Sequence, residues 1–222
     1  MQFSYCEEAG DKSLTLHVKE FAHIFKVRRV TVGANLDFAN LSDRKIYTYT
    51  INSINKKEAN LSLTDIKEVK TTSTCNVHIG WCIVEPKIIE KHISMLNEMG
   101  VEKITFVYAD FSQNGYKIDE KRLNRILINS CEQSGRANLM KIEVLNSVKE
   151  YLETYTQSAI IDFSENILSK EKKIGNFLVG PEGGFSKEER ELFTCKDVFG
   201  LKSPNILRSE TAVVGVCAKF IL

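Results

Sequence analysis

The chain is poor in proline and tryptophan, with three and one among 222 residues, and neither sign of charge dominates: 30 Lys and Arg stand against 29 Asp and Glu, a net charge of +1. With 43% hydrophobic and 27% charged residues, a disordered or fibrous chain is excluded for most of its length. The balance of charge excludes a globally basic nucleic-acid or membrane binder, so such a partner must meet a local patch. No apolar run approaches the roughly 20 residues that span a bilayer. The opening MQFSYCEEAG carries two acids and no basic or long apolar segment, so neither a signal nor a transit peptide is expected, and the expected location is the cytoplasm. There is no C-x-x-C among the six cysteines, which are expected to be reduced and buried. The cluster Cys75, His78 and Cys82 falls on CNVHIGWCIV. As a strand, that stretch sends Cys75 to one side and His78 and Cys82 to the other, so no metal site is expected.

The length allows one large domain or a small one followed by a medium one. From Leu14 to Leu63 the segments LTLHV, VTVGANLDFAN, KIYTYTINSI and ANLSLTDI alternate and carry β-branched and aromatic residues, which predicts a small β-barrel. HVKEFAHIFKVRRV between them reads as a short helix or turn. From about Thr74 the texture becomes alternating strand and helix, predicting a mainly parallel sheet covered by helices. The expected domains are 1–72 and 73–222, with a boundary in KTTST.

NFLVGPEGGFSKEERELF is the most specific segment: an apolar strand enters Gly180, Pro181, Glu182, Gly183 and Gly184, and Ser186 with Glu189 forms a capping box for the next helix. Such a loop lies where ligands collect at the carboxyl edge of a parallel sheet. Its glycines permit positive φ and close backbone approach, and a side chain at Gly183 is expected both to strain the turn and to fill the pocket. Without G-x-G-x-x-G or a Walker A lysine, a dinucleotide or triphosphate site is disfavoured. Read alone, the loop fits a plain strand-to-helix turn as well. In LKSPNILRSETAVVGVCAKFIL, Ser209 is expected to cap a helix that opens with Glu210 and Thr211 and is then apolar nearly all round, hence buried in the core or against another subunit. Arg208 is a long cation just before it, read either as functional or as a salt-bridged structural arginine.

GPEGGFS with its acidic helix and ILRSETA some twenty residues on together resemble the RsmE family, SPOUT-class methyltransferases that modify N3 of a uridine in 16S ribosomal RNA. The resemblance extends to EQSGR at Glu132 to Arg136, to NEMGV and to AHIFKVRRVTVGANLDF, in the family's order over essentially the whole chain. It implies an N-terminal PUA-like β-barrel, a C-terminal α/β domain with a trefoil knot, a homodimer packed through the knot region, and no metal. It also implies S-adenosylmethionine as cofactor, bent in a pocket formed through backbone groups of Leu178, Gly180, Gly183, Leu207 and their neighbours, with Val179, Pro181, Glu182, Gly184, Leu201, Ile206, Arg208, Thr211 and Ala212 around it and a third loop at 162–164 that brings Phe163. Arg208 is expected to stabilise the uracil anion and Glu210 or Glu182 to orient it or take its proton, unless either carboxylate only binds helix-start amides. His23, Lys26, Arg28, Arg29 and Arg136 are the expected contacts to 16S rRNA or the small ribosomal subunit.

The sequence departs from the family at Gln2, where an arginine is usual, around Met95 and Leu96, where a lysine is, and at YADFSQ, where S-E-R-S is expected. Residues 18–31 hold four basic residues and one acid, and 117–141 hold six and three; either patch serves RNA contact or forms a solvated face. Two other functions compete: a non-catalytic RNA-binding module, and a SPOUT methyltransferase for transfer RNA or another ribosomal site.

Overall fold

The computed structural model describes residues 2–19, 21–22, 24–25, 30–69, 76–112, 115–171 and 174–222. The chain forms two compact units, 1–71 with 128–139, and 72–127 with 140–222. No described helix is long and apolar enough to cross a membrane.

The first unit is a five-stranded sheet built from β1 (Ser4–Tyr5), β2 (Ser13–His17), β3 (Asn35–Ala39), β4 (Lys45–Ile54) and β5 (Glu58–Glu68), in the order β1-β3-β4-β5-β2. Only the β1–β3 pair is parallel. Asn55 makes the β4–β5 turn because its Oδ1 accepts from the backbone N–H groups of Lys57 and Glu58, both at 2.8 Å. Register shifts at Thr48/Tyr49 and Ile51/Ser53 interrupt this ribbon, and such irregularities bend a long antiparallel pair and increase its twist, curling the sheet. Alternation then buries Leu14, Leu16, Leu36, Phe38, Tyr49, Ile51 and Leu61 on one face. The Phe38 ring meets the edges of Phe21 and Tyr49 at 6.0 and 5.9 Å.

Residues 128–139 join this unit: the Gln2 and Tyr5 N–H groups donate to the Glu132 carbonyl and carboxylate at 2.7 and 2.8 Å. Phe3, Ala39, Leu41 and Cys131 share a small core there. No texture shift marks residues 128–139, because they lie in a regular amphipathic helix, α2 (Glu120–Ser134), and the turn after it. β1, too short to show a period, is likewise absent from the sequence reading.

The second unit is a six-stranded, all-parallel sheet in the order β11-β9-β10-β6-β7-β8. Its strands are β6 (His78–Cys82), β7 (Lys103–Val107), β8 (Lys141–Leu145), β9 (Ala159–Ile161), β10 (Asn176–Val179) and β11 (Val198–Phe199). Its helices are α1 (Pro86–Met99), the first half of α2 (residues 120–127), α3 (Val148–Thr154), α4 (Lys187–Glu191) and α5 (Ser209–Ile221). All five residues of β6 are buried, as expected of a central strand covered on both faces. Gly100 ends α1 in the left-handed region, its N–H serving the Asn97 and Leu96 carbonyls. Cys195 departs from the expectation of buried cysteines: it is exposed, while Cys6, Cys82, Cys131 and Cys217 are buried.

Candidate functional site

The loops that follow the carboxyl ends of the adjacent strands β11, β9 and β10 enclose, with the start of α5, a cavity of about 360 Å³. Such an edge is where open parallel sheets bind ligands. Of the residues expected to form a pocket, Phe163, Val179, Gly180, Pro181, Glu182, Gly184, Leu201, Ile206, Leu207 and Ala212 line it. Phe163 and Ile206 are 72% and 82% exposed, so a flat apolar ligand would gain contact area at little cost in rearrangement.

The glycine loop is held from both sides. Ser186 caps α4: its Oγ accepts from Glu189 N–H at 3.1 Å, and Glu189 Oε2 accepts in return from Ser186 N–H at 2.9 Å. That capping box also grips the loop after β7. Ser186 Oγ donates to Asp110 Oδ2 at 2.5 Å, and Glu189 Oε1 accepts from Asp110 N–H at 2.9 Å. Arg190 then reaches Asp162 with two guanidinium contacts, Nε to Oδ2 at 2.8 Å and Nη2 to Oδ1 at 3.2 Å. The fork fixes the loop after β9 against α4 and offsets the Asp162 charge at the cavity wall.

The third wall depends on close backbone approach. A Cβ at Gly200 would lie 2.1 Å from the Ser164 carbonyl oxygen, and only glycine permits that approach. Leu168 N–H donates to the Gly200 carbonyl and Gly200 N–H to the Asn166 carbonyl, both at 2.9 Å. Ser209 closes the site. Its Oγ donates to the Gly180 carbonyl at 2.6 Å and accepts from Trp81 Nε1 at 3.0 Å.

Several expected residues sit elsewhere. Leu178, expected to meet the cofactor through its backbone, has its side chain fully buried in the core with Tyr151 and Phe185. Gly183, Arg208, Glu210 and Thr211 are not on the cavity wall. Positive φ in the loop belongs to Gly184, at +70°; Gly183 instead lies against Phe111, whose Cβ would be 3.1 Å from an added Cβ. A Cβ at Gly183 therefore presses on Phe111, which has to give by a few tenths of an ångström. The N-cap of α5 is Arg208, with no side-chain cap bond, because the hydroxyl of Ser209, expected as the cap, is spent on Gly180. Glu210 is buried, and its Oε2 has no hydrogen-bond partner among the described residues. Arg208 is exposed and no ion pair to it occurs among the described residues, which removes the described acids as partners for a structural salt bridge.

Arg136 is half-buried and donates from Nε to the Asn138 carbonyl at 2.9 Å, closing the turn after α2. His23, Lys26, Arg28 and Arg29 lie outside the described residues, as does Cys75. His78 is engaged with Thr105 at 2.8 Å, and no group of potential metal ligands occurs among the described residues. Gly200, Ser209 and Arg190 are parts of the site that sequence reasoning did not assign, although Asp162, which Arg190 holds, lies in the expected third loop. Gly200 sits in a weak strand signal, and Ser209 reads as an ordinary cap.

A cavity on a parallel sheet edge, walled by a glycine loop and an apolar turn, defines a small-molecule-binding α/β domain. Residues 71–221 match the family model described as an RNA methyltransferase domain, and residues 16–64 match that of an RNA methyltransferase PUA domain. A Helicobacter pylori protein named ribosomal RNA small subunit methyltransferase E is 36% identical, the match covering 98% of each chain. A protein of the same name from Aquifex aeolicus is 29% identical over 97% of each. The crystal structure of that enzyme from Neisseria gonorrhoeae, bound to S-adenosyl methionine, shares the fold at a TM-score of 0.79 and 21% identity, over 98% of this chain and 95% of that one. The chain belongs to the ribosomal RNA small subunit methyltransferase E family.

Proposed function

We propose that the protein transfers a methyl group from S-adenosylmethionine to N3 of a uridine in 16S rRNA, uridine 1498 in rRNA numbering, as a cytoplasmic homodimer. The observation that carries this reading is a cavity of ligand size with Arg208, a cation without an ion-pair partner among the described residues, between two of its wall residues in sequence, Leu207 and Ser209. The residues suit the cofactor. Phe163, Ile206, Leu201 and Leu207 offer apolar surface for a nucleoside base, and the backbone at Gly180 and Gly184 can approach a ligand without side-chain interference. The cofactor when bound supplies an activated methyl group on a sulfonium.

The chain's own task is then to place uracil N3 in line and to help it lose a proton. Loss of that proton puts negative charge on the flanking carbonyl oxygens, and the exposed Arg208 guanidinium is the group suited to meet it. Glu182 is the exposed carboxylate on the wall, and in this reading it accepts the N3 proton. Glu210, buried and off the wall, instead favours the start of α5, where a negative charge complements the helix dipole. The target must expose its Watson–Crick edge, so an unpaired or splayed base is required.

The exposed Leu222 and half-buried Val214, Ala218 and Ile221 on α5 support a dimer, expected in light scattering at twice the 25.2 kDa chain mass. Calorimetric titration with S-adenosylmethionine, together with mapping of modified uridines in rRNA from a deletion strain, tests the whole reading. A protein that binds RNA but no cofactor, or a deletion strain with the uridine still methylated, overturns it.

A further inference from the structure

We infer that Phe111 is a stacking platform for a nucleobase of the RNA substrate, a contact that rests on the function proposed above. Phe111 follows β7 and is 55% exposed, although phenylalanine loses free energy in proportion to the apolar area it leaves in water. Its place is fixed. Asp110, on one side, is bonded through its N–H to Glu189 and through its carboxylate to Ser186. Ser112, on the other, is buried, donates its N–H to the Ala109 carbonyl at 2.9 Å and accepts from Ala109 N–H at 3.1 Å. The Cβ of Phe111 lies against Gly183, whose neighbours Glu182 and Gly184 both line the cavity. A water-exposed ring whose backbone is held on both sides thus stands against the glycine loop that forms one wall of the cavity.

The chemistry of the surroundings selects the occupant. Residues 108–112 hold no basic side chain and one acid, so the loop is unsuited to grip phosphate. Among the described residues the ring adjoins Asp110, Ser112 and Gly183, and one ring by itself is far below the area on the order of 800 Å² per partner that a protein interface buries. One ring matches one base, and base–aromatic stacking needs no particular base and no charge. The stacked base is the target uridine itself or the nucleotide next to it, held as its Watson–Crick edge enters the site.

Three variants test this. Phe111→Ala is expected to raise KM for small-subunit RNA about tenfold or more, with affinity for S-adenosylmethionine, melting temperature and oligomeric state unchanged. Phe111→Leu keeps the apolar bulk without the ring and is expected to behave like alanine, whereas Phe111→Trp keeps the activity. The native Trp81 is fully buried, so the Phe111→Trp protein also carries one exposed indole, and a uridine-containing oligonucleotide should quench its fluorescence. Unchanged KM in Phe111→Ala, full activity in Phe111→Leu, or loss of the dimer in Phe111→Ala would each overturn the assignment, the last by showing that a second copy of the chain covers the ring. If the wild-type protein binds no S-adenosylmethionine, the function fails independently of Phe111; if the wild type methylates and Phe111→Ala matches it, only the platform fails.

Discussion

Ser209 donates a hydrogen bond to the carbonyl of Gly180, 29 residues earlier, at 2.6 Å. The same hydroxyl accepts from Trp81 on the central strand at 3.0 Å, so a single atom ties the start of α5, the glycine loop and β6 together. With Ser209 buried, each bond is shielded from competition by water, and neither partner has an easy substitute.

Ser209→Ala removes both bonds and strands the Trp81 N–H in the core. A buried donor left unpaired costs about 1–3 kcal/mol. We expect thermal unfolding several degrees lower and weaker binding of S-adenosylmethionine, because the glycine loop loses its anchor. Ser209→Thr, which keeps the hydroxyl, should recover most of the binding. Normal cofactor affinity in Ser209→Ala by calorimetric titration would show that the loop is held by other means.

Gly200→Ala is the severest small change in the site. Its Cβ would meet the backbone oxygen of Ser164 at 2.1 Å, and backbone cannot step aside as a flexible side chain can. We expect a loss on the order of 2–4 kcal/mol, read as a lower melting temperature, with cofactor affinity falling more than stability alone explains because the walls at 162–164 and 200–207 separate. Gly183→Ala meets only the Cβ and ring of Phe111 at 3.1 Å and beyond, and should cost much less.

The parallel sheet, its helices and the glycine loop were legible because each leaves a local signal: continuous apolar strands, a 3.6-residue period and the Ser186–Glu189 capping box. The cavity's other determinants are not local. That Ser209 would leave its capping role depends on the Gly180 carbonyl being within reach, and the requirement for glycine at 200 depends on the backbone at 164. Arg136 looks like an RNA contact in a basic stretch, yet its Nε serves the next turn. Phe111 falls in YADFSQ, a segment notable in the sequence only for lacking the expected S-E-R-S, and its exposure and its contact with Gly183 set it apart.

A second polar network lies at the opposite, amino-terminal edge of the sheet. Glu143 accepts from Thr105 at 2.8 Å and from Tyr155 at 2.6 Å, Lys103 donates to the Tyr155 hydroxyl at 2.5 Å, and Lys103 Nζ stands 3.0 Å from Glu143. Since the Thr105 hydrogen is spent on Glu143, His78 Nε2 must be the donor to Thr105. Burial, helped by the charge of Lys103 and opposed by that of Glu143, lowers the His78 pKa from 6.5 to about 4. The unfolded chain therefore takes up the proton first as pH falls, so stability present above pH 6.5 drains away between 6.5 and about 4. The loss is on the order of 2 kcal/mol after allowance for partial screening. Melting temperatures measured across that window should fall in the wild type and fall less in His78→Gln. Burial alone would raise the Glu143 pKa, but its bonds to Tyr155, Thr105 and Lys103 hold it down, so both proteins lose further stability below about pH 4.5. Parallel curves above that point would show that His78 does not titrate as described.

The most direct test of the account is single-turnover methyl transfer to small-subunit RNA by Arg208→Ala, measured beside calorimetric titration of S-adenosylmethionine. If Arg208 meets the developing uracil anion, the methyl-transfer rate falls about 10² to 10³-fold, roughly 3 to 4 kcal/mol in the transition state, while cofactor affinity and melting temperature hold. Arg208→Lys, with charge but no planar fork, should restore only part of the rate. A folded Arg208→Ala protein that binds the cofactor normally and methylates at the wild-type rate would contradict the account.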